Sequence, residues 1–174
     1  MSQTRHGSAA KQVALMGLLF ATAMVLSFVE SILPVLPMLP PGFKLGLSNI
    51  VTMYALFTLG AREGFVIAVL KAGFVFLTRG MVSALMSLAG GLASVVCMLL
   101  VAWLLAGKKD YLLLSVFGAA AHNGGQILAA VFILGTTKIA AYLPVVLLVG
   151  IGMGIVTGKM LQVILPYVNR LHIN

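Results

Sequence analysis

Apolar residues fall along this chain in six long blocks, and what separates them is charged, glycine-rich or proline-rich. Taking each block as a helix gives segments at about 12–33, 46–60, 63–80, 82–106, 111–134 and 139–165. A bilayer hydrocarbon core about 30 Å thick needs roughly 20 apolar residues of helix to cross it, and about six such lengths fit. The block at about 46–60 is short for a crossing. Only Ala61-Arg62-Glu63 separates it from the next, so these two segments are expected to form a tight hairpin, both of them inserted. The pattern predicts an all-α membrane protein, a six-transmembrane-helix bundle forming a single membrane domain over residues 1–174. A proline-rich outer loop is expected at about 34–45.

Composition agrees with that choice of solvent. Of 174 residues, 61% are apolar and 8% charged, and mean hydropathy is +1.16. That leaves too few polar side chains to clothe a water-soluble surface. The single Cys97 lies in an apolar run, which excludes a disulfide framework and a thiolate metal cluster and reads as a small core residue. A basic start (Arg5, Lys11) followed by Ala21-Thr22-Ala23 imitates a cleavable signal peptide, but apolar sequence continues to Leu33. The segment is therefore expected to remain as a membrane helix.

With the N-terminus inside, six crossings place Arg5, Lys11, Arg62, Lys108, Lys109, Lys159 and Arg170 at the inner face, and Lys44, Arg79 and Lys138 outside. The positive-inside rule favours this arrangement, with both termini cytoplasmic in a multi-pass protein of a bacterial inner membrane. The net charge of +8 is thereby spread over loops that set topology rather than gathered into a patch for nucleic acid, and no nucleic-acid partner is expected.

Helices in lipid associate by close packing, so small residues spaced by four mark contact faces. Gly150, Gly154 and Gly158 share one face of the last segment with Gly152 beside them, and Leu88-Ala89-Gly90-Gly91-Leu92 marks a close crossing. Both fit packing within the chain. Ala10, Ala14, Gly17 and Ala21 form a further stripe on the first segment, suited either to internal packing or to docking another membrane protein.

Polar side chains in hydrocarbon are costly and point to function. Lys71 is the clearest: a lysine at a helix centre costs roughly 2.5 to 3.5 kcal/mol on insertion scales, so it should face a cavity or an acidic partner. Glu30 is the one acidic residue outside the inner loops, placed to neutralise Lys71, Lys44 or Arg79 or to meet a ligand directly. His122 and Gln126 lie one turn apart with Asn123 on an adjoining face, in a run of alanines and glycines. They supply donors and acceptors either to a ligand or to neighbouring helices. Lys44, Ser48 and Asn49 gather where the chain re-enters the membrane after Pro34, Pro37, Pro40 and Pro41. Glu30, Lys44, Asn49, Lys71, Arg79, His122, Asn123 and Gln126 are thus the candidate binding residues for a small polar or anionic solute entering from outside.

Catalytic chemistry has little to work with. The three acids are Glu30, Glu63 and Asp110, and no Walker-type phosphate loop occurs, so neither metal-assisted diphosphate chemistry nor ATP hydrolysis is expected of this chain. No metal site and no intrinsic cofactor are expected. Two of the three histidines, His6 and His172, lie in the tails, leaving His122 without a second ligand.

Four stretches carry a resemblance: Leu26-Ser27-Phe28-Val29-Glu30-Ser31, Pro41-Gly42-Phe43-Lys44-Leu45-Gly46-Leu47-Ser48-Asn49-Ile50-Val51, Ser87-Leu88-Ala89-Gly90-Gly91 and Ala121-His122-Asn123-Gly124-Gly125-Gln126. They resemble the Gx transporter family, also called heptaprenyl diphosphate synthase component I. That family is similar in size and helix layout to the S components of energy-coupling factor transporters. The resemblance implies a vitamin- or cofactor-like cargo, flavin- or quinone-related as one possibility. It also implies a membrane scaffold (T) subunit and two ATPase subunits that use the ATP. Docking on the scaffold would fall to Ala14, Gly17 and Ala21, with Gly17 in place of the usual alanine. The older family name implies a different role, as a membrane accessory of a polyprenyl diphosphate synthase, and a stand-alone secondary transporter is a third.

Overall fold

The computed structural model describes residues 3–32, 46–106 and 110–171. Six α-helices follow one another: α1 (Gln3–Ile32), α2 (Asn49–Thr58), α3 (Ala61–Arg79), α4 (Met81–Leu104), α5 (Tyr111–Leu134) and α6 (Leu143–Leu171), with a 3-10 segment at Thr137–Tyr142 before the last. The chain reverses at each connection. One end of the bundle, here the lower, carries Gly60 and Asp110, and the upper end carries Gly46, Gly80 and Gly135. Early α1 lies at the lower end, where Gln12 Nε2 donates to Glu63 Oε1 at 3.1 Å. The last turns of α6 lie there too, since Gly158 packs on Leu112 at the start of α5.

Local chemistry explains the sharp reversals. Asp110 caps α5 by accepting from the N–H groups of Leu112 and Leu113, both at 3.1 Å, which satisfies two donors that have no partner inside the helix. Gly80 is the single residue between α3 and α4. Its N–H donates to Phe76, its carbonyl accepts from Ala84, and its φ of +83° is a conformation that side chains disfavour.

Several boundaries differ from the expected ones. The first helix begins at Gln3 rather than at about 12. The helix expected at about 46–60 runs only ten residues from Asn49, about 15 Å and half of the hydrocarbon core. Gly46, Leu47 and Ser48 form a turn instead, closed by Asn49 N–H donating to the Gly46 carbonyl at 2.9 Å. The last segment begins as 3-10 turns and then continues through Pro166 to Leu171. Proline removes one donor and strains the preceding turn, yet such helices persist in membranes. Four segments are long and apolar enough to cross a membrane: Ala10–Glu30, Met81–Leu104, Tyr111–Leu134 and Thr137–Tyr167. α3, at 19 residues, includes Arg62, Glu63, Lys71 and Arg79.

Burial is inverted relative to a water-soluble protein. Leu77, Trp103 and Phe132 are 82%, 77% and 80% exposed, while Ser27, Glu30, Lys71, His122, Asn123 and Gln126 are all buried. Large apolar side chains point outward and the costly polar ones inward, as a lipid solvent demands. The chain is an all-helical, multi-pass membrane protein.

The most extensive packing joins α4 to α5 and α5 to α6. Gly150, Gly154 and Gly158 lie against Asn123, Val116 and Leu112 of α5, so this stripe is used within the chain. Gly90 and Gly91 likewise seat α4 against His122 of α5 and Ala68 of α3. α1 packs on α2 and α3 and, among the described residues, does not meet α6. Ala14, Gly17 and Ala21 are exposed, and nothing lies within 4 Å of where a Gly17 side chain would begin. The first stripe thus lies on an exposed face of α1.

Candidate functional site

A polar cluster forms where α1, α2, α3 and α5 converge. Glu30 comes from the last turn of α1, and its Oε1 accepts the backbone N–H of Gly46. The chain entering α2 is thereby tied to α1 by a charge-assisted bond. Gly46 has φ +91°. A side chain there would start 3.2 Å from Asn49 Nδ2 and 3.9 Å from His122 Cδ2, so glycine serves both the turn and the close approach of these two side chains.

Asn49 opens α2, and its Oδ1 accepts from Lys71 Nζ at 2.7 Å. Lys71 is 2% exposed, so the ammonium does not snorkel to the lipid surface. It sits about 15 Å along α3 from Ala61 and about 12 Å from Arg79. From α5, His122 Nε2 and Gln126 Nε2 approach within 2.7 Å, one turn apart on the face toward α4. Which of the two donates depends on the imidazole tautomer and the orientation of the Gln126 amide. Glu30, Asn49, Lys71, His122 and Gln126 are therefore brought together around Gly46.

The remaining candidates stand elsewhere. Asn123 faces α6, where its Nδ2 donates to the Val146 carbonyl at 2.8 Å. That bond joins two helices and leaves the cluster to its neighbours on α5. Arg79 is half-buried in the last turn of α3, well above Lys71. Lys44 and the proline-rich loop at 34–45 lie outside the described residues.

Beneath the cluster is a small cavity among α2, α4, α5 and α6, lined by Gly46, Asn49, Met53, Ser94, Met98, Ser115, Gly118, Ala119, Met153 and Thr157. Its 10 Å³ is about the room one water molecule needs. Apart from Asn49, the residues of this floor were not among the candidates read from sequence. Ser115 Oγ and Thr157 Oγ1 hydrogen-bond at 2.7 Å, and Thr157 Oγ1 also lies 2.8 Å from the Met153 carbonyl. Serine and threonine are common enough in membrane helices that nothing in their spacing set these apart.

Among the described residues, Asn49 Nδ2, Gln126 Oε1 and Thr52 Oγ1 are buried with no hydrogen-bond partner. Buried polar atoms left in this state cost about 1–3 kcal/mol each. One is a donor, one an acceptor, one a hydroxyl. Asn49 and Gln126 belong to the cluster around Gly46; a small molecule offering an acceptor and a donor there would satisfy both, and flexible Met53, Met98 and Met153 can give way to enlarge the space. Among the described residues no three His, Cys, Asp or Glu side chains group to hold a metal ion.

The family model described as heptaprenyl diphosphate synthase component I matches residues 19–164. The chain belongs to the heptaprenyl diphosphate synthase component I family. This is the family also named Gx transporter, and the match takes in Glu30, Asn49, Lys71, His122 and Gln126. No curated protein and no solved structure matches the chain.

In this family member, two acids have local roles. Asp110 is spent on capping α5 and Glu63 accepts from Gln12. Glu30 is the one acid within the polar cluster.

Proposed function

We propose that this member of the heptaprenyl diphosphate synthase component I family is the solute-capturing subunit of an energy-coupling factor type transporter. The six helices are then arranged as in an S component with both termini cytoplasmic, and the upper end faces outward. The observation that carries the reading is the buried cluster of Glu30, Asn49, Lys71, His122 and Gln126, with partnerless donor and acceptor atoms above an expandable methionine floor. A cluster of that kind inside an apolar bundle suits a small polar or anionic cargo, vitamin- or cofactor-like.

ATP is consumed by two partner ATPases, and the chain contributes no catalysis of its own. The exposed Ala14, Gly17 and Ala21 stripe offers the surface on which a membrane scaffold subunit docks.

The family's description favours a second reading, a membrane accessory of a polyprenyl diphosphate synthase. Prenyl transfer requires a carboxylate-rich metal site, and the sequence holds three acids, so the synthase chemistry would belong wholly to a partner.

Co-purification separates the two. Recovery of the tagged chain with an ATPase pair and a membrane protein supports transport, and recovery with a soluble prenyl synthase overturns it. Native mass spectrometry of the purified chain should show a bound small molecule that Lys71→Ala loses. Unchanged retention removes Lys71 from the site.

A further inference from the structure

A second feature lies away from the polar cluster. Because α2 is short and α1 does not meet α6, the lower half of the bundle has an open groove between these two helices with α2 as its floor. Its volume is about 450 Å³ and its walls include Leu15, Leu18 and Leu26 of α1, Ile50 and Tyr54 of α2, and Ile164 of α6. The lining is almost wholly apolar. Thr22 also borders it, but its hydroxyl is spent on the Leu18 carbonyl at 2.9 Å.

Length and charge say what fits. From Leu15 to Leu26 the α1 wall runs about 16 Å, half of the roughly 30 Å hydrocarbon core. The groove is one leaflet deep. Lys11 lies on the same face of α1, four residues before Leu15 and seven before Leu18, and it is exposed. Side chains on a helix lean toward its N-terminus, so the Lys11 ammonium sits just past the lower mouth, at headgroup depth for that leaflet. Among the described residues, no acidic side chain lines the groove.

We infer that the α1–α6 groove holds one anionic glycerophospholipid of the lower leaflet, its chain along Leu15, Leu18 and Ile50 and its phosphate against Lys11. The bound lipid fills what would otherwise be a packing defect beside a half-length helix, so it is an integral part of the fold rather than bulk solvent. A single basic residue near a membrane surface favours an anionic headgroup by about fivefold.

The full chain reconstituted in nanodiscs of equimolar phosphatidylcholine and phosphatidylglycerol, then released for native mass spectrometry, tests this. The wild type should retain one phosphatidylglycerol per chain with about fivefold preference. Lys11→Gln should keep one lipid and lose the preference, and Lys11→Arg should restore it. Leu18→Trp and Ile164→Trp, which project into the groove from positions that are 64% and 39% exposed, should each abolish retention with the protein still monodisperse. Equal retention of both lipids by the wild type, a preference that survives Lys11→Gln, or a lipid-free dimer seated on this face would each overturn the inference.

Discussion

Gly90→Ala is the sharpest probe of how α4 holds the site. A methyl group added at Gly90 would begin 2.7 Å from the His122 carbonyl oxygen, 2.9 Å from Gln126 Cγ and 3.0 Å from His122 Cε1. The first of these is backbone and cannot swing aside. Reaching ordinary contact near 3.4 Å requires α4 and α5 to part by about 0.7 Å. Overpacking of this kind costs about 1–3 kcal/mol. For a chain of this length each kcal/mol moves the midpoint by about 2–4 °C, so the expected loss is roughly 2–12 °C.

The internal control is Gly73→Ala, on a face where nothing lies within 4 Å of the added carbon, with an expected change within about 0.5 kcal/mol. The readout is the temperature at which half the detergent-solubilised protein is lost from its monodisperse size-exclusion peak. The Gly90 variant should also weaken retention of any co-purifying small molecule, because His122 and Gln126 move with α5. Equal midpoints for the two variants would refute the close crossing.

Other substitutions separate stability from function. Lys71→Met leaves Oδ1 of the half-buried Asn49 without its donor, so a cost of about 1–3 kcal/mol should lower the midpoint by about 2–12 °C and solute retention should fall with it; unchanged retention in the folded variant would remove Lys71 from the site. Asp110→Ala removes the α5 cap and should cost about 1 kcal/mol, a fall of about 2–4 °C, with solute retention intact. Gly150→Ala drives a carbon into the Asn123 amide that bonds Val146, and a midpoint unchanged from Gly152→Ala, where space is open, would argue against the α5–α6 seat.

What the sequence disclosed depended on how loudly lipid penalises each residue. Helices were legible because an apolar run of membrane length has few other readings. The start of α2 was not, since Gly46-Leu47-Ser48 is neutral in hydropathy and only a backbone turn sets it outside the helix. Lys71, Glu30, His122 and Gln126 stood out because their burial is costly. Asn123 stood out equally, but one residue along a helix rotates a side chain by about 100°, and that turn directs its amide to Val146. Two small-residue stripes read alike from spacing. The structure places them differently, one packed on α5 and one on an exposed face. Ser94, Ser115 and Thr157 were silent because hydroxyls carry little penalty in membrane helices.

The single residue joining α3 to α4 has a consequence for biosynthesis. α3 is burdened with Arg62, Glu63, Lys71 and Arg79, and each central charge opposes partition from the translocon. α4, with hydropathy 2.3 over its span, enters readily. Gly80 leaves no slack between them, so the ribosome delivers a helical hairpin whose second arm draws the first across. The last component of the buried polar cluster to enter the bilayer would then be α5, bringing His122 and Gln126 to a lysine already escorted into place.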